Sequence, residues 1–498
     1  MRHLRIASAF ALTLAGSDVL AQSATPALDA AAAAMGGKEH VLAIRTLILE
    51  GTGESLTFGQ NHTPYAETQH AITAYRRSYD FVNRRWFVDQ TREPRFVTAN
   101  VAPQRVRLGV DGYPNTVAYN INNAGTMLRA GGSAATDRLS EFLYHPVGFL
   151  MAAFASGTPV TEHAGPEGDR TIRITVAGMD AAMVVDGRTN LPSRVERAVS
   201  HPMLGDITLV TDFSDWRATG DLRLPMRLRQ RYGDLFTLSD LRLTAARVND
   251  EVGNLAATDS IRTVAQAGQP AGQPAGPAPR IVVDSVAPGV WSIAGQSHHT
   301  IAIEQSNQIV LVEAPQSDAR ARAAIAAARE LRPGKALSLL VNTHHHFDHA
   351  GGIRAAASQG LTIVTHASNR DFYERVVLPP ARTREGDALS ERGGTPRVRA
   401  VGDREVLRDR MRTIELHHIP NPHSGSMLVV YLPAERLLIQ ADLYNPPPEN
   451  ATNVPVFPFV KALVDEVGRR GLRVERVVGI HGRVVPWSDL EAAASRAP

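Results

Sequence analysis

Four histidines and an aspartate crowd into residues 344–349, three of the histidines and the aspartate in the pattern His344-x-His346-x-Asp348-His349. Neutral imidazole and carboxylate are the donors a zinc-like cation accepts. The apolar run 337–341 before them reads as a buried strand, and Ala350-Gly351-Gly352-Ile353 after them as the start of a helix. A strand-to-helix loop gathers its side chains at one point. Residues two apart in extended chain project to the same side, so His344 and His346 face together. Asp348 and His349 turn to a neighbouring position as the chain bends, and two cations can be held side by side. Most of the 18 histidines lie in this half of the chain, and there is no cysteine. Thiolate metal sites, disulfides and a cysteine nucleophile are therefore excluded.

This motif resembles the signature of the metallo-β-lactamase superfamily, and further segments follow in the family's order. Pro422-His423-Ser424-Gly425 before an apolar run is similar to its third-histidine loop. Leu437-Leu438-Ile439-Gln440-Ala441-Asp442 is similar to the strand that ends in its bridging carboxylate, and Gly479-Ile480-His481-Gly482 to its final histidine. The resemblance spans about 281–490. It implies an α/β fold, the αβ/βα sandwich, with the site at the sheet edges. His344, His346 and His423 would hold one metal. Asp348, His349 and His481 would hold a second, with Asp442 bridging. The implied cofactors are two divalent ions, zinc being the expected one. His345, between two ligands, should point away.

Such a pair of cations shares a water and lowers its pKa towards neutrality. The implied chemistry is hydroxide attack on a carbonyl or phosphoryl centre, with Asp348 orienting it or moving a proton. Glu313 ends the strand 308–312 where the family more often has aspartate, and could bond near the site. His298 and His299 could sit over the metals and touch substrate. Tyr444, two residues past Asp442, is a further candidate near the oxyanion. His366, His417 and His418 read as strand residues. Loops 446–448 and 453–458 are stiff candidates for a substrate wall.

The elements that position these groups occupy less than half of the 498 residues. Residues 1–21 have a basic start, a short apolar stretch and small residues before Gln22, the pattern of a secretory signal. A periplasmic or secreted address is expected, with no membrane span. Residues 265–280 repeat Gly-Gln-Pro-Ala and read as a semi-extended linker. They separate 24–264 from 281–498. In 24–264, strand signals fall at 45–50, 67–76, 79–89, 105–110 and 171–176, with hairpin turns at Asp111-Gly112 and Asp186-Gly187. Helices are expected over 27–44 and 136–155. The expected object is a β-rich (α+β) domain with one large antiparallel sheet, and it resembles, distantly, the half-barrels of lipoprotein carriers. Its histidines, His62 and His70 among them, read as ordinary surface or core residues.

All but three of the 53 basic residues are arginine, spread among 50 acids for a net charge of +3. No clustered basic patch marks a nucleic-acid partner, and a small-molecule substrate is expected. Absence of cysteine separates the chain from the drug-resistance enzymes that carry one at the Asp442 position. A secreted address counts against tRNA processing and glutathione thioesters, and favours an ester, lactone, β-lactam or similar carbonyl. The competing reading is a periplasmic carrier whose N-terminal sheet holds an apolar ligand beside a subsidiary metal domain.

Overall fold

The computed structural model describes residues 26–65, 69–95, 102–112, 115–131, 134–263, 281–295, 297–379, 382–393, 395–447 and 456–497. The expected leader 1–21 and linker 265–280 lie outside these, as does part of the loop after Pro446.

The N-terminal half is one 13-stranded antiparallel meander. Thr46–Ser55 lies at its middle, paired with His70–Asp80 on one side and with Phe236–Val248 on the other. Alternating apolar residues send Leu47, Leu49, Tyr75, Tyr79 and Trp86 to one face, where they pack against Phe149 and Leu150 of the helix Pro146–Phe154. That face carries a packed core in place of the open groove a carrier requires. Both expected helices are interrupted. Residues 27–44 form Pro26–Ala34 and Lys38–Leu42, because Gly36 and Gly37 take positive φ between them. The stretch 136–155 breaks at Pro146, which lacks the amide to continue a helix. The expected strand 79–89 is the end of one strand and the start of the next, Arg85–Pro94, across a turn with Arg84 at φ 52°.

His145 caps the helix that follows it, accepting from the Val147 amide at 3.3 Å. Burial, then the Arg77 charge, push its pKa down to about 3. A histidine neutral in the fold but protonated in the unfolded chain adds stability above its free pKa, and that stability is lost as pH falls. Between pH 6.5 and 4.5 this contribution should drop by roughly 2–3 kcal/mol. His145→Asn, which retains capping ability, should flatten the dependence of the melting midpoint on pH across that window.

The C-terminal half is two facing sheets. One has seven strands. Val282–Ala287, Val290–Gly295, His298–Glu304 and Gln308–Val312 are antiparallel, and Ala336–Val341, Thr362–His366 and Val398–Val401 follow in parallel. The other has six, with Thr413–His418, Leu428–Leu432, Leu437–Gln440 and Arg476–Gly479 at its centre. Val310, Val312, Val341, Leu416, Val430 and Ile439 fill the space between the sheets. Helices Asp318–Leu331 and Ile353–Ser358 cover one outer face, and Pro458–Arg469 and Trp487–Ala494 the other. This is the expected αβ/βα sandwich.

The halves share a core. Met203, Leu204 and Phe236 pack in the same cluster as Phe372 and Leu389. Phe58 stands 4.5 Å from Phe236 and 6.4 Å from Phe372, ring to ring. Asp206 accepts from the Thr383 amide at 2.7 Å.

Candidate metal centre

The ligand candidates leave the C-terminal ends of strands of both sheets, where backbone pairing stops and side chains are free to converge. His344, His346 and His349 follow Ala336–Val341. His423 lies between Thr413–His418 and Leu428–Leu432. Asp442 follows Leu437–Gln440, and His481 follows Arg476–Gly479. Their nitrogen and oxygen atoms form two clusters, His344/His346/His423/Asp442 and His298/Asp348/His349/His481. Asp442 joins them. Its Oδ2 is 3.0 Å from His349 Nε2, 3.1 Å from His423 Nε2 and 3.3 Å from His344 Nε2, and its Oδ1 is 2.8 Å from His481 Nε2. Asp442 and Glu313 both sit at positive φ, 63° and 72°. Left-handed backbone outside glycine is strained and concentrates at functional sites.

The unused ring nitrogens show which atoms face inward. His344 Nδ1 meets Thr343 Oγ1 at 3.0 Å, His346 Nε2 donates to the Asn61 carbonyl at 2.8 Å, and His481 Nδ1 donates to the Ser297 carbonyl at 3.1 Å. His349 Nδ1 faces Glu313 Oε2 at 3.5 Å, and Glu313 Oε1 accepts from the Thr343 amide at 2.8 Å. The outward nitrogens of His344, His346 and His481 are thus held by oxygens, as metal-bound imidazoles are, while His349 Nδ1 faces the Glu313 carboxylate without a hydrogen bond. His344 Nε2 and His346 Nδ1, the inward atoms, are fully buried and make no hydrogen bond. Burying such atoms without a partner costs on the order of 1–3 kcal/mol each, and a cation would satisfy them. The donor set fits divalent metal ions.

Electrostatics agree. Burial, then the neighbouring imidazoles, keep His344 and His346 well below the ordinary histidine range, hence neutral and fit to ligate. Burial opposes charge on Asp442, but His349, His344 and His423 outweigh it and hold the carboxylate ionised. Burial likewise opposes charge on His349, yet Asp442 and Glu313 raise its pKa well above normal. Holding a cation there requires that proton to leave.

One wall comes from the other half of the chain. Pairing of Thr46–Ser55 with Phe236–Val248 ends at Ser55 opposite Ser239, and the chain leaves the sheet to cross the metal loop. Gly59 accepts from the Phe347 amide at 2.9 Å. Its φ is +75°, and a Cβ there would sit 3.1 Å from Phe347 Cβ, so only glycine allows this approach. Gln60 Nε2 donates to Asp348 Oδ1 at 2.7 Å, and His62 Nε2 donates to the Asn421 carbonyl at 3.1 Å. Sequence reasoning missed Gln60 and Asn61, and it took His62 and His70 as ordinary histidines. Both histidines line a 240 Å³ cavity with His346 and His423. No spacing signal links this loop to the motif, because the contact of Asn61 with His346 spans 285 residues. Outer partners of metal ligands typically matter by about 10–100-fold in affinity or activity. Gln60→Ala should weaken metal retention in that range, measured by chelator competition, while the melting midpoint stays nearly unchanged.

The weaker candidates divide. His298 Nε2 lies 3.2 Å from Asp348 Oδ2 and its ring 4.0 Å from that of His481, inside the second cluster. His299, next on the strand, faces away to Ser292 Oγ at 3.1 Å. Glu313 stands behind His349. His345 bonds Ser426 Oγ at 3.2 Å, and burial pushes its pKa down to about 3. Tyr444 packs with the layer of Pro458–Arg469, its backbone held at both ends by the Gln440 amide. Among the described residues it makes no hydrogen bond to the His/Asp clusters. His366 and His418 stack on each other at 4.0 Å, and His417 pairs with Glu415.

Comparisons with known proteins bear on this half. The family model of the metallo-beta-lactamase superfamily matches residues 294–466. Among solved structures the chain is similar to a metallo-beta-lactamase from Pontibacter korlensis, at 19% identity over 43% of this chain and 98% of that one, TM-score 0.35. It is also similar to the metallo-beta-lactamase FIM-1 from Pseudomonas aeruginosa in its mono-zinc form, at 19% identity over 44% and 96%, TM-score 0.32. A third is the DIM-1 metallo-beta-lactamase, at 16% identity over 44% and 97%, TM-score 0.34. No curated protein matches the chain. The matched residues contain the strands and loops that bring His344, His346, Asp348, His349, His423 and Asp442 together. Over residues 294–466 the chain matches the metallo-beta-lactamase superfamily, and the His/Asp clusters of that region support a metal-dependent hydrolase.

Proposed function

We propose that the protein is a binuclear metallohydrolase acting outside the cytoplasm on an ester, lactone, β-lactam or similar small carbonyl substrate, with zinc the expected ion. One observation carries this reading. Two His/Asp clusters meet at the single carboxylate of Asp442, and two buried imidazole nitrogens, His344 Nε2 and His346 Nδ1, make no hydrogen bond there.

A pair of divalent ions bound there would supply a water of lowered pKa and polarise the substrate's carbonyl oxygen. The chain's own groups do the rest. His344, His346 and His423 form one half of the cradle, and Asp348, His349 and His481 the other. Gln60 fixes one oxygen of Asp348, leaving Oδ2 towards His298 and His349. From there it can take the proton of the attacking water and return it to the leaving group. Glu313 keeps the His349 ring turned inward. Phe459, whose ring lies 5.2 Å from that of His423, gives the cavity an apolar side.

The reading is tested by assaying zinc-loaded protein against lactones, β-lactams, carboxylic esters, thioesters and phosphodiesters. Turnover of at least one carbonyl class, lost on metal removal and restored by zinc, is expected. Turnover that survives metal removal would contradict it. Extracytoplasmic residence predicts a mature chain that begins near Gln22, read by N-terminal sequencing.

A further inference from the structure

The cavity beside His346 and His423 has a chemistry that metal binding does not use. Its far wall belongs to the N-terminal sheet: Arg92 on Arg85–Pro94 and Gln104 at the start of Gln104–Asp111 line it, with Gln60 and His62 from the crossing loop. Arg92 Nε donates to Gln104 Oε1 at 3.0 Å. No carboxylate among the described residues pairs with its guanidinium. Elsewhere on this sheet Arg85, Arg105, Arg227 and Arg231 each hold an aspartate. Arg92 is half-buried, and burial depresses its pKa with no acid offsetting it. His70 beside it is neutral, its pKa lowered to about 4 by burial and by Arg92 itself. No carboxylate lines the cavity among the described residues, so Arg92 is its one fixed charge there. A partly desolvated guanidinium with its terminal nitrogens free is a ready partner for a planar anion, which it grips through two parallel bonds. At 240 Å³ the space is below that of a drug-sized ligand site and suits one substituent.

We propose that Arg92 is a specificity-determining residue of the N-terminal domain. It would receive a carboxylate on the substrate while the carbonyl to be cleaved lies over His346 and His423. Resting on the metallohydrolase reading, this narrows the substrate to an anionic one.

The test uses the full-length, zinc-loaded protein and two probes of one leaving group: the p-nitrophenyl half-ester of glutaric acid and neutral p-nitrophenyl butyrate. Wild type should prefer the half-ester in kcat/KM. Arg92→Gln should erase that preference, by about tenfold or more, with butyrate turnover unchanged, and Arg92→Lys should restore part of it. Calorimetric binding of glutarate provides a readout independent of turnover. It should weaken about tenfold or more in Arg92→Gln. Glutarate binding or half-ester preference that survives Arg92→Gln, as a carboxylate seated on the metals alone would give, overturns the proposal. Arg92-dependent glutarate binding without turnover of either ester keeps the anion pocket and removes the hydrolase reading instead.

Discussion

Asp442→Ala is expected to strip the centre of metal and lower kcat/KM by more than the roughly 10–100-fold that loss of an outer partner costs. The carboxylate is the one group that touches four of the imidazoles, at 2.8 to 3.3 Å. Without it those four rings face one another with no negative charge between them. Cations would then be held by neutral ligands alone, and the two positions would lose their shared atom. Asp442→Asn keeps the shape but not the charge, and should fall between wild type and alanine. Because Asp442 lies at the mouth of the sandwich and not in the layer formed by Val310, Leu416 and Ile439, the melting midpoint of metal-free protein should change little. Metal content by elemental analysis and kcat/KM on the best substrate check this. A variant that keeps full metal content and turnover would remove Asp442 from the centre.

The largest stability effect is expected at Arg354, just after the metal loop on Ile353–Ser358. It is 3% exposed. Its guanidinium grips both oxygens of Asp387 and donates to the carbonyls of Val377 and Leu378 at 2.9 and 2.8 Å. Asp387 is thereby held down to about 2, the ion pair outweighing burial, and it caps Ala388–Arg392 through the Ser390 amide at 2.9 Å. Arg354→Met removes the charge but keeps most of the volume. It leaves two carbonyls without their donor and Asp387 with only Arg382 and the Ser390 amide, a loss at the lower end of about 3–5 kcal/mol. Denaturant unfolding should show the C-terminal transition at markedly lower denaturant. Because the Arg382–Arg384 segment beside it carries the contacts to Pro202 and Asp206, the halves should also uncouple earlier. A shift below about 1 kcal/mol, the scale of a surface ion pair, would mean that the pair is not buried in solution.

Much of the metal centre was legible in the sequence because each ligand is local to a recognisable turn. His344-x-His346-x-Asp348-His349 follows an apolar strand, and Asp442 and His481 end two more. Strand ends on one edge of a sandwich must lie near one another, so linear order sufficed. The N-terminal contribution was not legible for the complementary reason. Gln60 and Asn61 act through an amide and a backbone carbonyl, chemistry any loop possesses, and they meet the motif across 288 and 285 residues of chain. Arg92 reads as one of many alternating sheet arginines. Its place on the cavity beside His346 and His423, a property of three dimensions, sets it apart. Helix breaks at Gly36-Gly37 and Pro146 were legible locally and overridden by the apolar pattern running through them.

His344, His346, His423, Asp348, His349, Asp442 and His481 would together hold two metal ions, the proposal on which the function rests. It is tested most directly by elemental analysis of the full-length protein after zinc loading and removal of unbound metal, alongside Asp442→Ala. Two equivalents of zinc per chain in wild type, and one or fewer in the variant, are the expected result. Fewer than one equivalent in wild type, or equal content in both, would contradict it.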